Sequence, residues 1–449
     1  MKRKSSLFSQ RPKAKSAKKS SKDYPDSISI DRLSHEGRGI AKVDGKTLFI
    51  EGALPGEKVS FSITQQHRRY DEAICTEILI ASPDRVEPQC GHYGQCGGCD
   101  LQHLNHDRQI ETKQLLVLDQ LKRLGGVEPE SITEPLTSPA WLYRRSCRIG
   151  INQLSRDGSA IVGFRRRGSN KLTAIQHCPV LAEPLNNIIS ELPSILERED
   201  NFKTITHAEL SLADNQGALT IRIKKTISEE LQQSLKLLAE KHNFSLFLDN
   251  GSSLECCSDN PELSYNVACT NTDIRFEPGD FIQVNAVVNE KMIERSIEWL
   301  NLDANDRVLD LFCGIGNFTL PVAQYVESIV GVEGVEEMVS RATLNAEKNQ
   351  LKNCQFYRAD LSKDLTALPW YKQGFNKIIL DPPRTGALEI IKQFDLHQPE
   401  MILYISCNPA ALARDAAELV KQGYKAERFC VMDMFPHTSH VESMMLFVK

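Results

Sequence analysis

Long apolar runs are missing: nothing in the 449 residues approaches the roughly 18–20 consecutive apolar positions that a membrane-spanning helix needs. The basic N-terminus lacks the apolar stretch of a signal peptide, so export is not expected and a cytoplasmic address is. In that compartment thiols stay reduced, which excludes reading the 13 cysteines as a disulfide framework. No internal repeat is apparent, so the chain is not read as a solenoid. Residues 1–22 contain no acid and nine Lys/Arg; with a net charge of −5 overall, the rest of the chain sums to −14. The same stretch lacks apolar periodicity. Residues 1–25 are therefore expected to form a disordered tail, either a solubilising extension or an arm that meets nucleic-acid phosphates.

What is present, 41% hydrophobic and 25% charged residues, is the composition of an ordinary globular protein. Residues 26–86 read as short strands. "GIAKVDGKTLFI" carries Asp44-Gly45 between alternating segments, a hairpin signal, and "EKVSFSITQQHRRYDEAICTEILIAS" gives two more strands around the turn His67-Arg68-Arg69. With Gly37 and Gly39 in "HEGRGIA" and the following "GALPGEKV", this segment resembles the TRAM domain, an OB-like β-barrel that binds RNA. An amphipathic helix over about 106–124 (Ile110, Leu115, Leu118, Leu121) stops at "LGGVEP". Residues 140–265 mix strands and helices, with turn signals at Asp157-Gly158 and Asn215-Gln216-Gly217. Two basic runs there, "YRRSCR" and "FRRRG", read as a phosphate-contacting surface.

From about residue 283 short apolar strands ("RVLDLF", "SIVGVEG", "CQFYRAD", "NKIILDPP", "MILYISC") alternate with helical stretches, the pattern of a doubly wound parallel sheet. "RFCVMDMF" and "SMMLFVK" add two strands with no helix between them, so the last connection is antiparallel. "LDLFCGIGNFTL" sets Gly314 and Gly316 in the turn after the first strand. Glu333 ends the next strand, 23 residues beyond Asp310, a spacing suited to ribose hydroxyls. Thr319 stands where a dinucleotide fingerprint has its third glycine, which favours a nucleoside without pyrophosphate. Asp360 and Asp381 end the third and fourth strands. Three acids at successive strand tips fit a class I S-adenosylmethionine-dependent methyltransferase, Rossmann-like in fold.

The fifth strand ends in Cys407, within "SCNP". Amine methyltransferases use "DPPY" or "NPPY" and need no thiol; here the fourth motif position is Arg384. Carbon 5 of a pyrimidine is too electron-poor to attack a sulfonium methyl unless a thiolate first adds at C6, after which a base must remove the C5 proton. The turn and helix N-terminus after Cys407 are expected to favour its thiolate. His437, His440 and Glu442 in "FPHTSHVESMMLF" are the candidate bases. Separately, "CGHYGQCGGC" places Cys90, Cys96 and Cys99 close together, with Cys178 further on in "HCPV". That grouping reads as a metal site. Spacing leaves zinc and an iron–sulfur cluster both open, and three clustered cysteines with a remote fourth suit the cluster better. His92 and His177 read as neighbours of ligands, not ligands.

After the tail, the sequence resembles the RNA (uracil-C5)-methyltransferase family. The resemblance implies that Cys407 is the nucleophile and Glu442 the proton-abstracting base. It implies S-adenosyl-L-methionine contacts at Gln283, Phe312, Asn317, Glu333, Asp360 and Asp381, and a [4Fe–4S] cluster on Cys90, Cys96, Cys99 and Cys178. Four thiolates would saturate the cluster, which argues for a structural or RNA-orienting role. The expected architecture is α/β: a TRAM barrel at 26–86, a central α+β iron–sulfur and RNA-binding domain at 87–280, and a catalytic domain at 281–449. Within that family, the resemblance implies that tRNA-directed members lack both TRAM and cluster and that one ribosomal branch keeps the cluster without TRAM, so possession of both implies the branch acting on 23S ribosomal RNA, at uracil 1939. Other or paired RNA sites, an RNA amine methyltransferase, and a non-catalytic RNA chaperone stay open at this point. No protein partner and no membrane are expected.

Overall fold

The computed structural model describes residues 24–199, 202–259, 261–394 and 397–449; the basic stretch of residues 1–22 lies outside them. The chain forms two units, one of residues up to Lys113 with Phe164–Thr173 and Pro436–His440, the other of Gln114–Gly163, Ala174–Phe435 and Val441–Lys449. Among the described residues no helix is long and apolar enough to cross a membrane.

The first unit opens with strands β1 (Ile28–Ser29), β2 (Arg32–Leu33), β3 (Gly39–Val43), β4 (Lys46–Glu51), β5 (Lys58–Gln66) and β6 (Tyr70–Ile80), in the order β1-β5-β6-β4-β3-β2. Asp44 and Gly45 join β3 to β4 with φ of 48° and 77°, the two left-handed residues a tight hairpin needs. Alternating residues (Ala41, Leu48, Ile50, Val59, Ala73) close the barrel core. The cysteine-rich segment follows without regular structure. Its Leu101 and Leu104 form an apolar cluster with Leu33 and Leu54. Helix α1 (His106–Gln120) then begins. It buries Ile110, Val117 and Leu121, spaced by seven and four residues, but Leu115 is 66% exposed, so the expected stripe is corrected at that position.

In the second unit α1 runs into a π-turn, Leu121–Gly125, closed by Gly126 in the left-handed region. A Cβ on Gly125 would sit 2.3 Å from the Ala413 carbonyl, so only glycine permits this approach to the helix that follows Cys407. A short strand β7 (Ser131–Ile132) follows. Strands β8 (Ser146–Gln153), β9 (Ala160–Arg165), β10 (Leu172–Ala174), β11 (Ile205–Leu212), β12 (Gly217–Ile223), β13 (Phe244–Asp249) and β14 (Leu254–Cys256) make a sheet ordered β10-β9-β8-β11-β12-β13-β14. Helices α2 (Glu183–Leu196) and α3 (Glu229–Lys241) fall between its strands. A hairpin of β15 (Leu263–Val267) and β16 (Thr272–Phe276) leads to helix α4 (Ala286–Leu300).

The largest sheet holds β17 (Arg307–Leu311), β18 (Ser328–Glu333), β19 (Cys354–Arg358), β20 (Lys377–Leu380), β21 (Met401–Ser406), β22 (Lys425–Met432) and β23 (Glu442–Val448). Its order is β19-β18-β17-β20-β21-β23-β22-β7. The first five of these are parallel; β23 runs antiparallel to both β21 and β22. Helices α5 (Thr319–Ala323), α6 (Glu336–Lys348), α7 (Leu388–Ile391) and α8 (Pro409–Lys421) connect them. The central strands β20 and β21 are largely apolar because both faces are buried: Leu403 and Ile405 enter one core with Val288 and Met292 of α4. Ile402 and Tyr404 enter the other with Leu412 and Ala416 of α8.

Candidate active site

Register brings the strand tips to one level. Leu311 pairs with Val332 and with Leu380, and Leu380 with Tyr404, so Phe312, Glu333 and Asp381 emerge side by side at the carboxyl edge. That edge is where open α/β sheets take ligands. Phe312 is left-handed, with φ of 67°, a conformation that costs a non-glycine residue energy and concentrates at functional sites. The amides of Phe312 and Cys313 both donate to the Val332 carbonyl, which turns the chain sharply. Gly314 follows at φ of 56°, and a Cβ there would meet nothing within 4 Å: the turn faces open space. Glu333 braces it, accepting from the amides of Gly314 at 3.2 Å and Gly334 at 2.7 Å. Phe312, Glu333 and Asp360 line a cavity of about 630 Å³ with Pro383, Ala387 and Arg414, within the roughly 300–1,000 Å³ of small-molecule sites. Its far wall, the loop after "DPP", is held by buried Asp415, which accepts from the Ala387 amide at 2.6 Å and the Tyr404 hydroxyl at 2.7 Å. Hydrogen bonds from the Ser362 hydroxyl and amide, with Lys363, hold the Asp360 carboxyl below the ordinary carboxylate range.

Gln283 and Asn317 do not line that cavity. They are joined by a buried relay instead: Arg145 donates to the Gln283 carbonyl at 2.8 Å and sits 4.5 Å from the centre of the Tyr265 ring. The Tyr265 hydroxyl donates to Asn317 at 3.0 Å. Asn317 and Asn289 exchange both amide hydrogen bonds. Arg145 is thus taken out of the expected phosphate-contacting surface, since burial against an aromatic face engages its guanidinium.

Cys407 and Glu442 meet through the antiparallel pair β21–β23. Its last registered pair is Ser406 with Ser443, so Cys407 and Glu442 adjoin that pair at the carboxyl rim, where the Glu442 charge bears on the thiol. The cysteine turn is stitched to the "DPPR" loop by Asn408, whose side-chain amide donates to the Arg384 carbonyl at 2.8 Å and whose oxygen caps α8 at Ala410. The Cys407 thiol is pushed up to about 11 by burial and then by the charges of Glu442 and Asp381, with Arg384 opposing. The helix N-terminus expected to favour the thiolate does not outweigh these. Burial, then Asp381, pushes Glu442 up to about 8, again against Arg384. Burial pushes Asp381 up to about 7. Arg384 therefore tunes both partners, a part its position in "DPPR" foreshadowed only as a missing aromatic. Asp310 was likewise used only as a spacing mark. It is fully buried, accepts from Thr319 at 2.5 Å through one oxygen, leaves the other unpartnered, and is pushed by burial up to about 7. His437 is buried and hydrogen-bonded through its backbone.

Of the cluster candidates, Cys90, Cys96 and Cys99 share the first unit and Cys178 lies in the second. The Gly98 amide donates to the Cys96 sulfur at 3.4 Å, and the Cys90 amide to Gln102. The Cys178 amide donates to Asn186. Burial raises the thiols of Cys90 and Cys96. Among the described residues the ligand atoms gathered within 4.8 Å of one another are those of Cys269, Glu290 and Glu294, so the three clustered cysteines are not drawn in as tightly as one ion demands. His177 pairs with Glu183 at 3.5 Å.

A glycine turn after the first strand, a braced acid at the tip of the second and a cavity across the strand ends define an S-adenosylmethionine-dependent methyltransferase fold. The chain belongs to the tRNA (uracil-5-)-methyltransferase family, whose model matches residues 106–449; a TRAM domain model matches residues 27–75. It is 43% identical over 420 residues to the 23S rRNA (uracil(1939)-C(5))-methyltransferase RlmD of Pseudomonas fluorescens, covering 94% of this chain and 91% of that one. It is 41% identical over 432 residues to the protein of the same name in Alcanivorax borkumensis, covering 95% and 97%. Among solved structures it resembles the Pyrococcus abyssi tRNA (uracil-54, C5)-methyltransferase in complex with S-adenosyl-L-homocysteine. The TM-score is 0.72 at 21% identity, with 94% of this chain and 100% of that one covered. A tRNA-directed enzyme therefore shares nearly the whole fold.

Proposed function

We propose that this protein methylates C5 of a uracil in 23S ribosomal RNA, at uracil 1939, as its relatives' names describe. The observation that carries the chemistry is that Cys407 and Glu442 both adjoin the last β21–β23 pair, at the rim where Phe312, Glu333 and Asp381 emerge. The cavity fits S-adenosylmethionine in its donor set: Glu333 toward ribose hydroxyls, Asp360 toward the adenine amine, and the open face of Gly314 along the chain between them. When bound, that molecule supplies a sulfonium methyl as electrophile.

The residues do the rest. The target uracil leaves its stack to enter the cleft. Cys407, having released its proton, bonds through sulfur to C6, and the C5–C6 electron pair moves onto the O4 enolate. With S-adenosylmethionine held in the cavity, the C5 electron pair would displace the methyl group from the sulfonium, and the S–CH3 pair would stay on that sulfur. The Glu442 carboxylate removes the C5 proton, the C5–H electrons rebuild the double bond, and the C6–S bond breaks to return the thiolate. Arg384 favours the charged forms of both groups. We also read Cys90, Cys96, Cys99 and Cys178 as ligands of a [4Fe–4S] cluster. An amide already donates to the Cys96 sulfur, and three clustered cysteines with a remote fourth suit a polynuclear group. Its role here is to fix the cysteine segment for RNA, alongside the TRAM barrel.

Mapping 5-methyluridine in RNA from cells lacking the protein tests the target: loss at position 1939 of 23S rRNA is expected, and loss confined to tRNA overturns it. Iron and sulfide assays on anaerobically purified protein test the cluster, which a colourless, zinc-loaded protein would sink.

A further inference from the structure

The connection between β22 and β23 that delivers Glu442 is held by residues adjoining the cysteine segment. Asp100, immediately after Cys99, accepts from the Ser439 amide at 2.9 Å through one carboxylate oxygen and from the Ser439 hydroxyl at 2.8 Å through the other. The amides of Asp100 and Leu101 both donate to the His437 carbonyl, at 3.1 and 3.0 Å. Gln109 of α1, fully buried, completes the clamp: its oxygen accepts from the His437 amide at 2.8 Å. Its amide group donates to the carbonyls of Leu101 and Leu104. These bonds hold His437 in a left-handed conformation, φ of 66°, that a side-chain-bearing residue does not keep unaided. From Ser439 only His440 and Val441 intervene before Glu442.

From this geometry we propose that Asp100 and Gln109 are positioning residues for the proton-abstracting step: they fix the loop that aims Glu442, and so tie the cysteine segment to the elimination half of the reaction. The proposal rests on Glu442 being the base. Bond formation to C6 and removal of the C5 proton are separate events, so a misaimed Glu442 has its own signature. The covalent RNA–protein adduct forms and lingers while product formation slows. General loosening instead lowers adduct and product together.

The test uses the full-length protein with a uridine-containing substrate RNA and S-adenosylmethionine, reading the denaturation-resistant adduct and methylated product side by side. Asp100→Ala is expected to raise the steady-state adduct and slow product release by on the order of 10–10²-fold. Asp100→Asn still offers an oxygen to the Ser439 amide and an amide to its hydroxyl, and is expected to recover at least part of that rate. Ser439→Ala, which removes one hydrogen bond, gives a smaller shift in the same direction and decides the matter if Asp100→Ala does not fold. Wild-type turnover in Asp100→Ala and Ser439→Ala, or a joint fall of adduct and product, overturns the clamp. Glu442→Gln run in parallel separates the two failures: an adduct there with none in the clamp variants sinks the clamp alone. No adduct in Glu442→Gln sinks the base assignment and the clamp with it.

Discussion

At the amino-terminal end of the parallel strands Asp306 accepts from the Lys377 ammonium at 2.6 Å and from Asn376 at 2.7 Å, with both members of the ion pair buried. Burial pushes that carboxyl up, but Lys377 and its neighbours more than offset the push, and it stays below the usual range. At the carboxyl end Asp310 is fully buried and Asp381 and Glu442 are half-buried. Among the described residues none of them makes an ion pair, and their pKa values sit at about 7, 7 and 8. One sheet therefore handles the same functional group in two ways. A buried acid given a cation is structural. One left without keeps a proton near neutrality, which is what acid–base chemistry requires, and such groups gather at active sites.

The contrast is open to attack from both ends. Cys407→Ala should abolish labelled methyl incorporation, by on the order of 10⁴-fold or more; normal turnover would show the carboxyl end to be a cofactor cleft without covalent chemistry. Glu442→Gln should cost roughly 10²–10⁴-fold in product formation while an RNA–protein adduct survives denaturing electrophoresis. At the other end, Lys377→Met strands a buried carboxylate, and urea unfolding should register a loss of about 3–5 kcal/mol with little change in S-adenosylmethionine affinity. A neutral result would erase the distinction between the ends. Decay of the preformed RNA–protein adduct to product, which no longer needs the thiol to ionise, should quicken with pH up to about 8 as Glu442 loses its proton, by about tenfold per pH unit on the acid side; a flat profile would argue that Glu442 does not carry the step. The smallest effect is on stability. Because the folded-state pKa of Asp310 is raised, its contribution is full below the ordinary carboxylate range and is lost as pH rises through about 7. Asp310→Asn should therefore melt a few degrees above wild type at pH 8, with the gap closing toward pH 4.

Much of this was legible in one dimension because its causes are local. Five β-branched runs spaced by helices dictate a parallel sheet, Asp44-Gly45 dictates a hairpin, and a thiol at the end of a strand has to lie at the sheet's rim. What escaped depends on pairing between distant segments. Cys407 and Glu442, 35 positions apart, were linked in the sequence only through the family resemblance; it is the antiparallel β21–β23 pairing that brings both to one rim. Arg145 looks solvent-facing among "YRRSCR" until Tyr265, 120 positions away, supplies the ring that buries it. Leu115 carries the right chemistry for a core stripe but the wrong phase, five positions after Ile110. The π-turn and the close approach of Gly125 to Ala413 have no periodic signature at all.

The hydrogen bonds between Asp100 and Ser439 span 339 positions. A ribosome working at roughly 5–20 residues per second needs on the order of tens of seconds to make that much chain. Throughout synthesis the barrel and its cysteine loop are thus already present while the loop that completes their hydrogen bonding does not yet exist. A fragment cut before Pro436 would lack the last piece of its own first unit.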